Sequence, residues 1–235
     1  MTGRIFYNGG TSAAVVHAEQ LLRQKGVSFS SVLDEHVTHL LLNVPQTQPV
    51  PEKLPAGITV IGGKLPDMKN PCIDLLADPI YLAENASITA HCAVKVALQK
   101  LPVTLKNCSV LIVGWGRIGK CLAILLAAMG ARVTVAARKE TDRAMALALG
   151  YDALDARCLG YELARFRVIF NTVPFMLIPK DTVGYCRPDC LKIELASSPG
   201  IEGEDVISAR GLPGKEAPET SGELIAKTIL RLTAP

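Results

Sequence analysis

The sequence predicts an α/β chain: a doubly wound, parallel-sheet domain preceded by a smaller N-terminal α/β domain. Three observations predict it. Apolar runs of strand length alternate with helix-length segments along the 235 residues. One strand–turn–helix–strand unit, residues 107–135, carries glycines at the spacing G-x-G-x-x-G. A content of 49% apolar and only 5% aromatic residues fits an ordinary α/β fold rather than a disordered or fibrous chain.

The first ten residues, M-T-G-R-I-F-Y-N-G-G, lack the apolar core of a signal peptide. Residues 4–7 form a strand, Asn8-Gly9-Gly10-Thr11-Ser12 a turn, and a helix follows to about Gln24. Residues 37–44 and 58–61 are further strands, and the proline-rich 45–55 between them is a loop. The Asn8-Gly9-Gly10 turn could meet an anion, but a plain strand-to-helix connection is the preferred reading. Residues 1–86 thus form the small domain and residues 87–235 the larger one. The larger one begins with a linking helix, 87–101, in which Ser87 or Thr89 caps the first turn and Pro102 ends it.

The organising stretch comes next. Residues 110–113 are a buried strand running into Gly114, Trp115, Gly116, Arg117, Ile118 and Gly119, then into an apolar helix. The glycines have separate tasks: a tight turn at Gly114, close backbone approach to a pyrophosphate at Gly116, and close helix–strand packing at Gly119. A pyrophosphate then sits on the unpaired amides of the helix N-terminus. The alternative is a doubly wound turn without a ligand. The second strand, 133–137, ends in Arg138 and Lys139, with no acid before Glu140. An acid at this place reads the ribose of NAD, whereas an arginine suits the 2′-phosphate of NADP, so NADP is favoured and NAD remains possible.

A helix at 140–150 ends in glycine. Residues 167–171 are a strand, with Asn171, Thr172, Val173 and Pro174 at its carboxyl end, and 190–195 are another, followed by Ala196-Ser197-Ser198-Pro199-Gly200. Ligands of open parallel sheets lie outside the carboxyl ends of strands, which places both turns beside the nicotinamide half. Residues 211–218 read as a stiff loop. Thr220-Ser221-Gly222-Glu223 reads as a capping box before a final helix, 220–233.

Composition excludes several classes. A formal charge of +3 without interleaved aromatics speaks against nucleic acid, and the most apolar helix is too short to span a membrane. Seven scattered cysteines suit reduced thiols in the cytoplasm. Cys186 and Cys190 lack the further ligands that a structural zinc site needs, so no metal is expected.

From about residue 85 onward the chain resembles the A subunit of dipicolinate synthase. The likeness rests on N-A-S-I-T-A-H at 85–91, G-W-G-R-I-G at 114–119, N-T-V-P at 171–174, E-L-A-S-S-P-G at 194–200 and G-L-P-G-K-E-A-P-E-T-S-G at 211–222. The resemblance implies a two-domain fold like that of formate and glycerate dehydrogenases, with two interdomain helices crossing between the domains. It implies NADP-dependent oxidation of a dihydrodipicolinate-type intermediate to dipicolinate, a product of sporulation. It also implies a flavoprotein-like partner, the B subunit of dipicolinate synthase. This sequence departs from the family in having His91, Glu194 and Ile201 where Glu, Asp and Gly are usual, and in a shortened N-terminal domain.

Such an oxidation passes a hydride to the nicotinamide and releases a proton, while the two substrate carboxylates must be held. Thr89, Ser197, Ser198 and Lys215 are the candidate carboxylate partners, and His91 is the candidate base. Each could equally be a cap, a loop polar group or a solvated charge. A D-2-hydroxyacid dehydrogenase is a rival reading, but no histidine follows the glycine motif. A non-catalytic NADP-binding regulatory subunit is the other. A homo-oligomer, most simply a dimer, is expected for such folds.

Overall fold

A computed structural model of the chain describes residues 4–234. The chain divides into two compact units: one runs to Ile88 and resumes at Pro213, and the other is Thr89–Leu212. The boundaries fall inside helices rather than in linkers.

The first unit is an open, all-parallel sheet of β1 (Ile5–Asn8), β2 (Ser28–Ser30), β3 (His39–Leu41), β4 (Thr59–Gly62) and β5 (Cys72–Asp74), in the order 2-1-3-4-5. Helix α1 (Ala13–Gln24) is capped by Ser12, whose hydroxyl accepts from Val15 N–H. Its apolar face buries Val15, Ala18 and Leu22 in a core with Phe6, Leu41, Ile61, Leu224, Ile225 and Ile229. The other sheet face packs a smaller cluster of Val37, Leu40, Leu42, Ile58 and Val60.

Helix α2 (Pro79–Lys100) corrects one expectation. The linking helix does not open at 85–89 but near Asp78-Pro79. The Asp78 carboxylate accepts from Tyr81 N–H at 2.6 Å, and proline suits a first helical position because it has no N–H to leave unpaired. Ser87 and Thr89 therefore lie in mid-helix, more than a turn past its start.

In the second unit, β6 (Ser109–Val113), α3 (Arg117–Ala128), β7 (Arg132–Ala137), α4 (Glu140–Ala148), β8 (Asp152–Asp155), β9 (Val168–Asn171), α5 (Lys180–Val183), β10 (Leu191–Glu194) and β11 (Val206–Ser208) alternate. All strands are parallel, in the order 11-10-9-6-7-8. Counted from β6, this is the 3-2-1-4-5-6 order of dinucleotide-binding sheets, with its switch point between β6 and β9. Leu111, Val113, Ala136, Leu163, Phe166, Ile169 and Ile178 form the core on one face.

Two further expectations change at the carboxyl end. The stretch 211–218 is not all loop, since Leu212–Glu216 forms the short helix α6. The capping box is not used: α7 (Pro218–Leu232) starts at Pro218, which places Thr220, the box's cap residue, within the helix and leaves Ser221 buried. This final helix packs on α1 in the first unit, where a Cβ on Gly222 would come within 2.6 Å of Ala14 O. Linear order had grouped it with residues 87–235. Among the described residues, no helix is long and apolar enough to cross a membrane.

Candidate nucleotide-binding site

The fingerprint turn sits at the switch point of the second unit. Gly114 has φ +107, a left-handed conformation that disfavours any side chain, and its N–H donates to Ala136 O at 2.8 Å. A Cβ there would fall 2.3 Å from Thr172 Oγ1 and 2.8 Å from Val173 Cγ2. At Gly119 a Cβ would lie 2.2 Å from Gly114 O, so the helix meets the turn backbone to backbone. Gly116 differs. It is exposed and its missing Cβ faces open space, which is the room a pyrophosphate needs.

The amides of Arg117, Ile118 and Gly119 precede the first intrahelical bond, Lys120 N–H to Gly116 O at 3.0 Å. No side chain caps α3 and its first turn holds no acid, so nothing of the protein competes for an anion there. Trp115 is not an open ligand face. It is buried, lies edge-on to Tyr151 at 5.9 Å between centroids, and leaves its indole N–H without a partner.

The turns after β9 and β10 are tied together by one carboxylate. Glu194 is buried and accepts Asn171 Nδ2 (2.8 Å), Ala196 N–H (3.0 Å), Gly200 N–H (2.7 Å) and Ile201 N–H (3.2 Å). The Asn171 amide also donates to Val173 O and its oxygen accepts Val173 N–H. Thr172 donates its hydroxyl to Val113 O at 2.9 Å. Asn171 and Thr172 thus shape the rim, with their polar atoms committed to protein, while Pro174, Ser197 and Ser198 are exposed on it. Gly200 has no room for a side chain, because a Cβ would come within 2.9 Å of Val173 O and 2.7 Å of Phe175 O. Phe175 and Met176, unremarked in the sequence, present exposed apolar surface beside this rim.

At the end of β7, Arg138 and Lys139 are exposed. Two neighbours that sequence spacing did not single out join them. Arg143 donates to the carbonyls of Ala137 and Arg138 (3.0 and 2.9 Å), and Arg157 forms a two-bond pair with Asp155. Asp155 stands opposite Ala137 in the register of β7 and β8. The Arg157 guanidinium and backbone N–H hold its carboxyl well below the usual carboxylate range. Of these four cations, Arg157 and Arg143 pair with the one acid, Asp155, at the strand end where a ribose would be read. The signal was present only as β-strand register.

The remaining candidates lie on helices of the two units. Thr89 is buried and His91 exposed on α2 in the second unit, while Lys215 is exposed on α6 in the first. At the first unit's own switch point, Asn43 Oδ1 accepts from Thr11 and Ser12 N–H, so its carbonyl occupies the place an anion would take. Among the described residues no three His, Cys, Asp or Glu side chains gather to hold a metal ion.

No protein-family model matches the chain. The A subunit of dipicolinate synthase from Bacillus subtilis strain 168 is 29% identical over 158 residues, which cover 64% of this chain and 53% of that protein. The match thus spans about half the length of that curated relative. The crystal structure of the A subunit of dipicolinate synthase from Bacillus halodurans superposes with a TM-score of 0.85 at 21% identity, covering 100% of this chain and 99% of that one. A transhydrogenase structure from Sinorhizobium meliloti gives 0.73 at 12% identity, over 97% and 93%. In sequence over its matched part, and in fold throughout, this chain is similar to the A subunit of dipicolinate synthase.

Proposed function

We propose that the chain is an NADP-dependent oxidoreductase of the kind represented by the dipicolinate synthase A protein, which oxidises a dihydrodipicolinate-type dicarboxylate and works with a second subunit. The observation that carries the reading is the switch-point turn: a Gly114–Gly119 cradle with open space at Gly116 before an uncapped helix N-terminus. The bound nicotinamide would supply the hydride acceptor. The protein's own residues hold, orient and exchange a proton. Amides of Arg117, Ile118 and Gly119 bind the pyrophosphate, and Arg138 and Lys139 bind the 2′-phosphate, with Arg143 pinning the backbone that presents them. Val173 and Pro174 border the nicotinamide. Ser197 and Ser198, on the exposed rim anchored by Glu194, donate to a substrate carboxylate, and His91 accepts the proton.

Titration of the purified chain with NADP and with NAD tests the cofactor, read by fluorescence of Trp115, the single tryptophan. NADP should bind more tightly, and Arg138→Asp should weaken it by about ten-fold or more while leaving NAD nearly unchanged. Tighter binding of NAD than of NADP in the wild type would assign the site to NAD instead, and equal affinity would show that Arg138 and Lys139 do not read a 2′-phosphate. Turnover of dihydrodipicolinate with the flavoprotein-like partner present then tests the reaction. NADP binding without turnover would point to the regulatory reading.

A further inference from the structure

A second charged site lies on the opposite edge of the second unit's sheet. In an all-parallel sheet every carboxyl end shares one edge, so the amino ends of β6, β7 and β9 meet at the other. Ser109 and Arg132 are register partners, Arg132 N–H donates to Cys108 O (2.8 Å), and Arg167 N–H donates to Ser109 O (2.9 Å). The ladder therefore sets Arg132, Ser109 and Arg167 side by side. Asn107, in a left-handed turn with φ +61, donates its N–H to Gly130 O at 2.7 Å and brings Lys106 to the same edge.

These residues, with Arg165 and Arg187, line a groove of about 340 Å³. A neighbouring hollow of about 220 Å³ shares Ser109, Arg132 and Arg165 with it. Five cations face the groove, and carboxylates only partly balance them. Asp189 serves both Arg167 and Arg187, and Glu162 pairs with Arg165. Among the described residues neither Lys106 nor Arg132 makes an ion pair. The Nε of Arg167 is buried without a hydrogen-bond partner. Burial pushes the Cys108 thiol up, while the charges of Arg167, Arg132 and Arg187 act on it in the opposite sense, as expected of guanidinium groups converging there.

We propose that this groove binds a compact polyanion, a phosphorylated small molecule of diphosphate type, at a site separate from the nucleotide fingerprint. Guanidinium forks match phosphate oxygens two at a time, and the Ser109 hydroxyl and Lys106 ammonium add donors at the same edge. A nucleic acid fits less well. No aromatic side chain lines the groove, and the whole chain carries a formal charge of only +3.

Calorimetric titration of the full chain with inorganic pyrophosphate at low salt tests the site. Because a helix N-terminus also attracts phosphate, Arg117→Glu is the control for the fingerprint, and Arg132→Glu, at an exposed residue without an ion pair, is the test. Arg132→Glu should weaken pyrophosphate binding about ten-fold or more, Arg132→Lys by less, and Arg117→Glu hardly at all. NADP affinity should be unchanged in Arg132→Glu, which keeps this result independent of the cofactor assignment. Binding within about two-fold of wild type in Arg132→Glu, or loss in Arg117→Glu instead, would overturn the proposal. So would a short single-stranded oligonucleotide that bound more tightly than pyrophosphate and lost that binding in Arg132→Glu.

Discussion

Glu194 shows what one residue can decide. Its carboxylate takes four N–H groups from the two turns that border the candidate site, and it is buried. Glu194→Gln keeps the shape but turns an NH2 group toward N–H donors, leaving at least one of them unpaired. We expect a loss of about 2–4 kcal/mol in urea unfolding, because a buried donor without an acceptor bears its full desolvation cost. A change below about 0.5 kcal/mol would mean that the turns hold without it. Gly119 is the second such residue. Gly119→Ala sets a methyl against Gly114 O, where a Cβ has only 2.2 Å, so we expect a loss of about 2–4 kcal/mol. Nucleotide binding should fall more steeply than stability, since the same shift displaces the turn that cradles the ligand.

Helix starts are settled by competition between signals. Both α2 and α7 begin at proline, at Asp78-Pro79 and Ala217-Pro218, in preference to the hydroxyl-rich stretches that follow. Asp78 gives α2 a side-chain cap and an ion pair to Arg231 at 2.5 Å, so Asp78→Ala should lower the melting temperature, and Arg231→Ala should add little in the double variant. Thr220 distinguishes the two readings of α7 by sign. As the cap of the S/T-x-x-E box, its replacement by alanine would cost about 1 kcal/mol; as an exposed residue within the first turn of the helix, Thr220→Ala should stabilise by up to about 0.5 kcal/mol. The direction of the shift in a urea midpoint settles it.

For the whole molecule, acid stability follows from the paired carboxylates. Asp155 is held low by Arg157, and Asp78 by the Tyr81 N–H and then Arg231. A carboxyl whose folded pKa lies below its unfolded value of about 3.9 contributes fully above that value. The contribution is lost as pH falls through the folded pKa. Asp155→Asn should therefore be less stable than wild type by a constant amount above about pH 5, with the gap closing below about pH 4. A gap that persisted in acid would show that the variant acts through packing rather than charge.

The sequence by itself determined the α/β class, the strands β6, β7, β9 and β10, and the glycine cradle. These are local: a buried strand needs an apolar run, and a tight turn needs residues without side chains, so the chemistry is written at consecutive positions. The three-residue strands β2 and β5 were invisible because S-F-S and C-I-D carry no period of their own and become strands by pairing in parallel with β1 and β4. Only the tertiary structure sent α7 back to the first unit, since its apolar face could have met either core and Gly222 finds its close approach on α1. Only strand register brought Asp155 and Arg157 beside Ala137, and Arg132 beside Ser109 and Arg167. Charges far apart in the chain become a site when parallel strands, about 4.8 Å apart, set their ends on one edge.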